Sequence, residues 1–136
     1  MSLIHKAQGF AGAPIELMDY VTGLHGDAIE QSSIDEISYT VLECTSEQKA
    51  EQAIGEEVAS DDLAKSDCVF NTAQTDAPWD ATRDPRGYNF RFDSPGTDRP
   101  TGGKWHRYDI ILTPFEGEAF RLVWIVKTLP IPTPTV

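Results

Sequence analysis

Residues 105–128 read WHRYDIILTPFEGEAFRLVWIVKT, and this stretch decides the fold class. Two runs rich in β-branched and aromatic residues, 105–113 and 119–128, flank a short segment, PFEGE, that contains proline and glycine. Runs of this kind around a turn segment are typical of paired strands. The stretch therefore predicts a long antiparallel hairpin in a mainly β protein.

The large apolar side chains of each run fall on one face, because successive residues of a strand point to opposite sides of the sheet. The two sets are Tyr108, Ile110 and Leu112, and Phe120, Leu122, Trp124 and Val126. We predict the pairs Leu112–Leu122, Ile110–Trp124 and Tyr108–Val126. A shift by one residue would set Leu112 opposite Arg121 and bury the arginine.

The second run is also apolar on its other face, at Val123 and Ile125. Such a strand is either central in its sheet or covered on its outer face by a partner. Val123 and Ile125 are therefore candidate interface residues.

The rest of the chain is divided by nine prolines and ten glycines into short segments, as in all-β proteins. Alternation predicts that Ile37, Tyr39 and Val41 share one face of a strand. Further strands are predicted at Leu3–Phe10 (an edge strand), Cys68–Phe70 and Tyr88–Phe92, with loops over residues 15–29 and 71–84.

Residues 45–55 are the best helix candidate, with the helix itself near residues 46–54. Thr45 and Gln48 have the spacing of a capping box, and Gly55 suits a helix end. The alternative is a polar loop that leads into a short strand near Val58.

Strands at this spacing predict an immunoglobulin-like antiparallel β-sandwich as a single domain over residues 1–128. A tyrosine early in the penultimate strand, here Tyr108, is common in such sandwiches, although the Cys–Trp–Cys spacing of antibody domains is absent. Residues 129–136, LPIPTPTV, alternate with proline and predict an extended tail.

The net charge of −11 is unevenly distributed. Residues up to Asp84 hold four Lys or Arg and seventeen Asp or Glu, whereas the rest hold seven and five. An acidic surface repels phosphate, so we expect no nucleic acid partner. The opposite net charges of the two regions attract one another when copies pack side by side, so we expect protein partners, including self-association.

No apolar run approaches the ~20 residues of a membrane span, and no signal peptide is visible. The absence of a signal peptide favours a cytosolic origin.

No catalytic, cofactor or metal site is predicted. The histidines, His5, His25 and His106, lack the ligand spacing of a zinc site. Cys44 and Cys68 have apolar neighbours and are expected to be buried and reduced. Trp79 and Trp105 either close the ends of the sandwich or anchor a partner, as aromatic residues do in interfaces.

Three segments carry a family resemblance: CVFNTAQTDAPW at 68–79, GYNFRF at 87–92 and RYDIILTPFEGEAF at 107–120. They resemble small proteins from the structural-gene regions of bacteriophages and prophages, which are similar to the immunoglobulin-like domain of phage baseplate upper proteins. The resemblance spans residues 34–128, and the acidic insert at 47–62 departs from it.

The resemblance implies a non-enzymatic virion component of the tail, neck or capsid surface, located in the virion or the host cytoplasm. It transfers no functional residues. Two rival functions are a bacterial carbohydrate- or peptide-binding module that uses exposed aromatics, and a small enzyme with an acidic pocket.

Overall fold

The computed structural model describes residues 4–23, 26–76, 79 and 84–131, which form two sheets packed face to face. The prediction of a mainly β sandwich is confirmed. The elements in chain order are β1 (Ile4–Phe10), β2 (Ile15–Asp19), β3 (Ile34–Cys44), α1 (Glu47–Glu51), β4 (Glu56–Leu63), α2 (Lys65–Cys68), β5 (Val69–Gln74), β6 (Tyr88–Ser94), β7 (Lys104–Pro114) and β8 (Phe120–Leu129).

The larger sheet has the strand order β1-β8-β7-β3-β4, and the smaller has β2-β6-β5. All strand pairs are antiparallel except β1 and β8, which run parallel, so the expectation of a purely antiparallel sandwich needs this correction. β1 lies at the edge of its sheet, as predicted, and β8 is central. The chain passes from one sheet to the other between β1 and β2.

The predicted hairpin is confirmed, but its register was wrong by two residues. Leu112 lies opposite Phe120, Ile110 opposite Leu122 and Tyr108 opposite Trp124. A slip of two residues keeps every side chain on its own face, so the hydrophobic pattern cannot distinguish the two registers. The observed register shortens the connecting loop by two residues and pairs Phe120.

The predicted helix is present but short. α1 starts after Ser46, whose side chain accepts a hydrogen bond from the Lys49 amide, so Ser46 and not Thr45 is the N-cap. The alternative, a short strand near Val58, is also partly confirmed, because β4 follows the helix at Glu56–Leu63. The second helix, α2, had no sequence signal.

Two segments assigned to loops are partly strands. Ile15–Asp19 form β2, and the first four residues of the predicted loop 71–84 continue β5. β2 escaped recognition because only Ile15 and Leu17 alternate before Met18 breaks the pattern. At the other end of the chain, Leu129 belongs to β8, so the tail begins one residue later; residues 132–136 lie outside the described part.

The main core lies between the two sheets. The predicted inward faces of β3, β7 and β8 all contribute, and Phe90 and Phe92 of β6 pack against them from the smaller sheet. Cys44 and Cys68 are buried and free, as expected. A second, smaller cluster lies on the outer face of the larger sheet, beneath α1.

Candidate functional site

One side of the sandwich is open. β1 is the edge strand of the larger sheet and β2 is the edge strand of the smaller, and neither has a second strand partner among the described residues. A groove of about 890 Å³ lies between them. We call it the β1–β2 groove. Its lining residues are His5, Lys6, Ala7, Pro14, Ile15, Glu16, Leu17, Met18, Trp79, Asp93 and Trp124.

The floor of the β1–β2 groove is apolar. Ala7 of β1 and Ile15 and Leu17 of β2 pack against the main core, to which Trp124 of β8 also belongs. The His5 ring stacks on the Trp124 indole, with ring centroids 4.9 Å apart and planes at 27°. Leu17 and Trp124 are buried, so Ala7 and Ile15, which are half-buried, are the floor residues that offer contacts to apolar side chains of a bound molecule.

Both ends of the groove are defined by polar contacts. At one end His5 Nε2 lies 2.9 Å from Asp19 Oδ2 and links the two sheets. At the other, the fully buried Arg99 donates from Nη2 to the Ala13 carbonyl at 2.6 Å and from Nη1 to the Phe10 carbonyl at 3.4 Å. Arg99 thus fixes the turn between β1 and β2, because a buried guanidinium requires acceptors.

The rim of the groove is charged. Arg91 donates to Glu16 at 3.0 Å and to Asp93 at 2.9 Å, and its hydrogen bond to Asp93 raises the pKa of Arg91. Lys6 is directed away from the groove, to Glu47 at 2.8 Å and Glu51 at 2.5 Å on α1. The rim carboxylates of Glu16 and Asp93 thus share Arg91 as a partner.

Val123 and Ile125 do not form a free surface. Both are fully buried in the outer cluster, together with Cys44 and Ala50 of α1. The predicted interface role of these two residues is therefore corrected: β8 is central in its sheet, and a helix of the same chain covers its outer face.

Trp79 and Trp105 do not form an exposed aromatic platform. Trp79 is only 8% exposed, and its indole nitrogen donates to the Asp84 carbonyl at 2.9 Å. Trp105 is half-buried at the edge of the outer cluster, with the Lys127 ammonium 5.8 Å from its ring centroid. Trp79 nevertheless lines the β1–β2 groove, whereas Trp105 does not.

A polar network is buried inside the sandwich. Asp98 accepts from the Tyr39 hydroxyl at 3.0 Å and from Ser94 Oγ at 2.8 Å, and the Tyr108 hydroxyl lies 2.6 Å from Ser94 Oγ. These groups satisfy one another and are closed to solvent, so they fix the packing of the two sheets.

The remaining reactive groups are held in forms that disfavour nucleophilic chemistry. Burial raises the pKa of the Cys68 thiol to about 11 and also raises that of Cys44. Burial lowers the pKa of His106, against the opposing effect of Glu43, whose Oε1 is 3.4 Å from His106 Nε2. Among residues 4–23, 26–76, 79 and 84–131, no cluster of three or more His, Cys, Asp or Glu is arranged to hold a metal. The helices of these residues are too short to cross a membrane.

No family model matches the chain, and no curated protein does. The solved structure named Tim-1 is similar over 99% of this chain and 100% of its own length, with 11% sequence identity and a TM-score of 0.41. A score this low carries no argument about function.

Apart from Trp79, which was a candidate interface residue, the groove residues were missed at the sequence level. Except for Pro14 and Trp79, they come from β1, β2, β6 and β8, which are distant in the chain and meet only in the folded sandwich. The sequence signal nearest to the site was the short alternation of Ile15, Glu16 and Leu17.

Proposed function

We propose that this protein is a non-enzymatic interaction module of a structural assembly, and specifically a bacteriophage virion component of the tail, neck or capsid surface. The observation that carries the interaction role is the side of the sandwich where β1 and β2 flank the β1–β2 groove, each with one edge that no other described strand pairs with. Exposed strand edges recruit further strands, and most monomeric proteins protect them.

The opposite side of the sandwich supports the same proposal by contrast. The edge strand β4 carries four acidic residues, Glu56, Glu57, Asp61 and Asp62, in eight positions. Charge of this density prevents edge-to-edge pairing. The edge at β1 has no acidic residue, and its single lysine is paired with α1. Of the two edges of the larger sheet, the one at β1 is thus better suited to bind a strand.

The strand orders support an immunoglobulin-like assignment. With β3, β7 and β8 as strands C, F and G, and β2, β5 and β6 as B, D and E, the sheets have the GFC and BED orders of that fold. β4 beside β3 corresponds to the additional C′ strand of variable-type domains. The virion role itself rests on the family resemblance of residues 34–128.

The protein content of purified particles tests the virion role. We expect the chain to co-purify with the particle proteins in a fixed ratio, and its gene to lie among portal, capsid or tail genes. Particles from a strain that lacks the gene are the control. Particles without the chain, together with a metabolic gene neighbourhood, would overturn the virion role.

The alternative of carbohydrate recognition by exposed aromatics gains no support, because Trp79 is buried and Trp105 is half-buried against the outer cluster.

Self-association is tested by sedimentation across protein and salt concentration. A concentration-dependent oligomer is the expected result if copies are the partners in the assembly.

A further inference from the structure

We propose that the β1–β2 groove binds an extended, basic strand of another protein, which adds to a sheet edge left unpaired by the described residues and buries alternate apolar side chains against Ala7 and Ile15. This inference rests on the proposed function, since it names the kind of partner that the interaction module takes. Such strand addition combines main-chain hydrogen bonds with pockets for every second side chain.

The shape of the groove fits a strand. β2 is five residues long, which corresponds to roughly 16 Å at about 3.3 Å per residue. The groove runs between two strands whose outer edges are unpaired in the described part of the chain, and its ends are defined by the His5–Asp19 contact and the Arg99-held turn. A bound segment of about five residues therefore spans it.

The chemistry of the groove selects the side chains of the strand. Residues that point inward meet the half-buried Ala7 and Ile15, beneath which Leu17 and Trp124 lie buried. Residues that point outward meet the rim, where the Glu16 and Asp93 side chains are 42% and 58% exposed. An alternation of apolar and Lys or Arg residues is complementary to both.

Charge also argues against a second copy of this chain as the occupant. Two chains that each carry a net charge of −11 repel one another, and no basic, alternating segment of this sequence is available to fill the groove. A basic partner is instead attracted by the same field, so its association weakens as salt is added.

The test uses the full chain, labelled with ¹⁵N, and a capped peptide of alternating lysine and valine. We expect amide chemical shifts to change along β1 and β2, with binding that weakens at high salt. A peptide with glutamate in place of lysine controls for charge. A peptide N-methylated at every backbone amide keeps the charge and loses the N–H donors of both edges, so it should not bind.

Two variants with the same charge change separate the groove from the overall field. Glu16→Lys alters the rim and is expected to weaken binding about fivefold or more. Glu57→Lys, on the edge strand β4, is the matched control and is expected to change binding by about twofold or less. Circular dichroism of both variants establishes that they are folded.

Three results would overturn the proposal. The first is no chemical-shift change at β1 or β2 with millimolar lysine–valine peptide, and the second is equal binding of the N-methylated peptide. The third is a dimer that Glu16→Lys dissociates, because a second copy of the chain would then be the occupant of the groove. The outcome is separate from that of the virion role. A chain found in particles that does not bind the peptide leaves the virion role intact, and a chain that binds the peptide but is absent from particles leaves the groove assignment intact.

Discussion

Arg107 Nη1 donates to the main-chain oxygens of Ala50 and Glu51, each at 3.0 Å, and so holds the end of α1 against the outer face of the larger sheet. Its Nε and Nη2 bind both oxygens of Asp109 at 3.0 Å. α1 is only five residues long and is not stable as an isolated helix. Arg107 and the apolar contacts of Ala50 therefore keep it over Val123 and Ile125.

Arg107→Met tests this role, because it keeps the stem of the side chain and removes the guanidinium. We expect a loss of about 2–3 kcal/mol in the free energy of unfolding, since several hydrogen bonds of a charged group are lost. Amide exchange in α1 should become faster while exchange in β7 remains slow. Chemical denaturation and hydrogen exchange are the measurements.

Arg121→Met is the matched control. Arg121 Nη1 lies 3.6 Å from the same carboxylate, but its side chain is half exposed, and among the described residues it forms no hydrogen bond or ion pair with α1. We expect a change below about 1 kcal/mol, as for exposed ion pairs. Equal effects of the two substitutions would show that Asp109, and not the docking of α1, is what Arg107 stabilises.

His106 should make the protein less stable in acid. Burial lowers the pKa of its imidazole in the folded state, although Glu43 opposes the shift, and Arg99 lowers it further. Below about 6.5 the unfolded chain takes up a proton that the folded chain does not, so stability falls as the pH decreases from 6.5 towards the folded-state pKa.

His106→Gln removes this proton linkage. It retains a polar side chain near Thr128, whose Oγ1 is 2.7 Å from His106 Nδ1. Denaturation of both proteins above and below pH 6.5 gives the comparison. We expect the wild type to lose more stability than the variant across this range. A variant that is equally acid-sensitive would assign the effect to carboxylates elsewhere.

The sequence predicts well which side chains share a strand face, but it does not predict what packs over that face. Val123 and Ile125 correctly indicated a strand that is apolar on both sides, but what covers it depends on Arg107 reaching main-chain carbonyls of α1, a contact with no sequence pattern. The hairpin faces were likewise predicted, whereas the register was not, because Leu112 opposite Phe120 or Leu122 satisfies the same pattern. The β1–β2 groove was unpredictable for a related reason: Ile15 and Leu17 are too few to indicate a strand, and Trp124 lies far along the chain.

The two cysteines should react slowly in the folded protein. Both are buried, and burial raises the pKa of Cys68 to about 11 and also raises that of Cys44. The reactive thiolate is therefore scarce and inaccessible near neutral pH. Labelling with a thiol reagent should be slow in buffer and complete for both residues in denaturant. Rapid labelling of one residue in buffer would show that its side of the molecule opens readily.

We expect the acidic side chains of the edge strand β4 to prevent two copies of the protein from pairing through that edge. Glu57 and Asp62 are exposed, lie on the strand face opposite the core, and form no ion pair among the described residues. Glu57→Val with Asp62→Val therefore removes repulsion with little loss of folded contacts, and it makes β4 a flatter, more apolar edge. We expect concentration-dependent association by light scattering. Glu116→Val with Glu118→Val, in the exposed loop between β7 and β8, changes the net charge equally and should leave the protein dispersed. Association of both double variants would mean that net charge alone, and not the edge, maintains solubility.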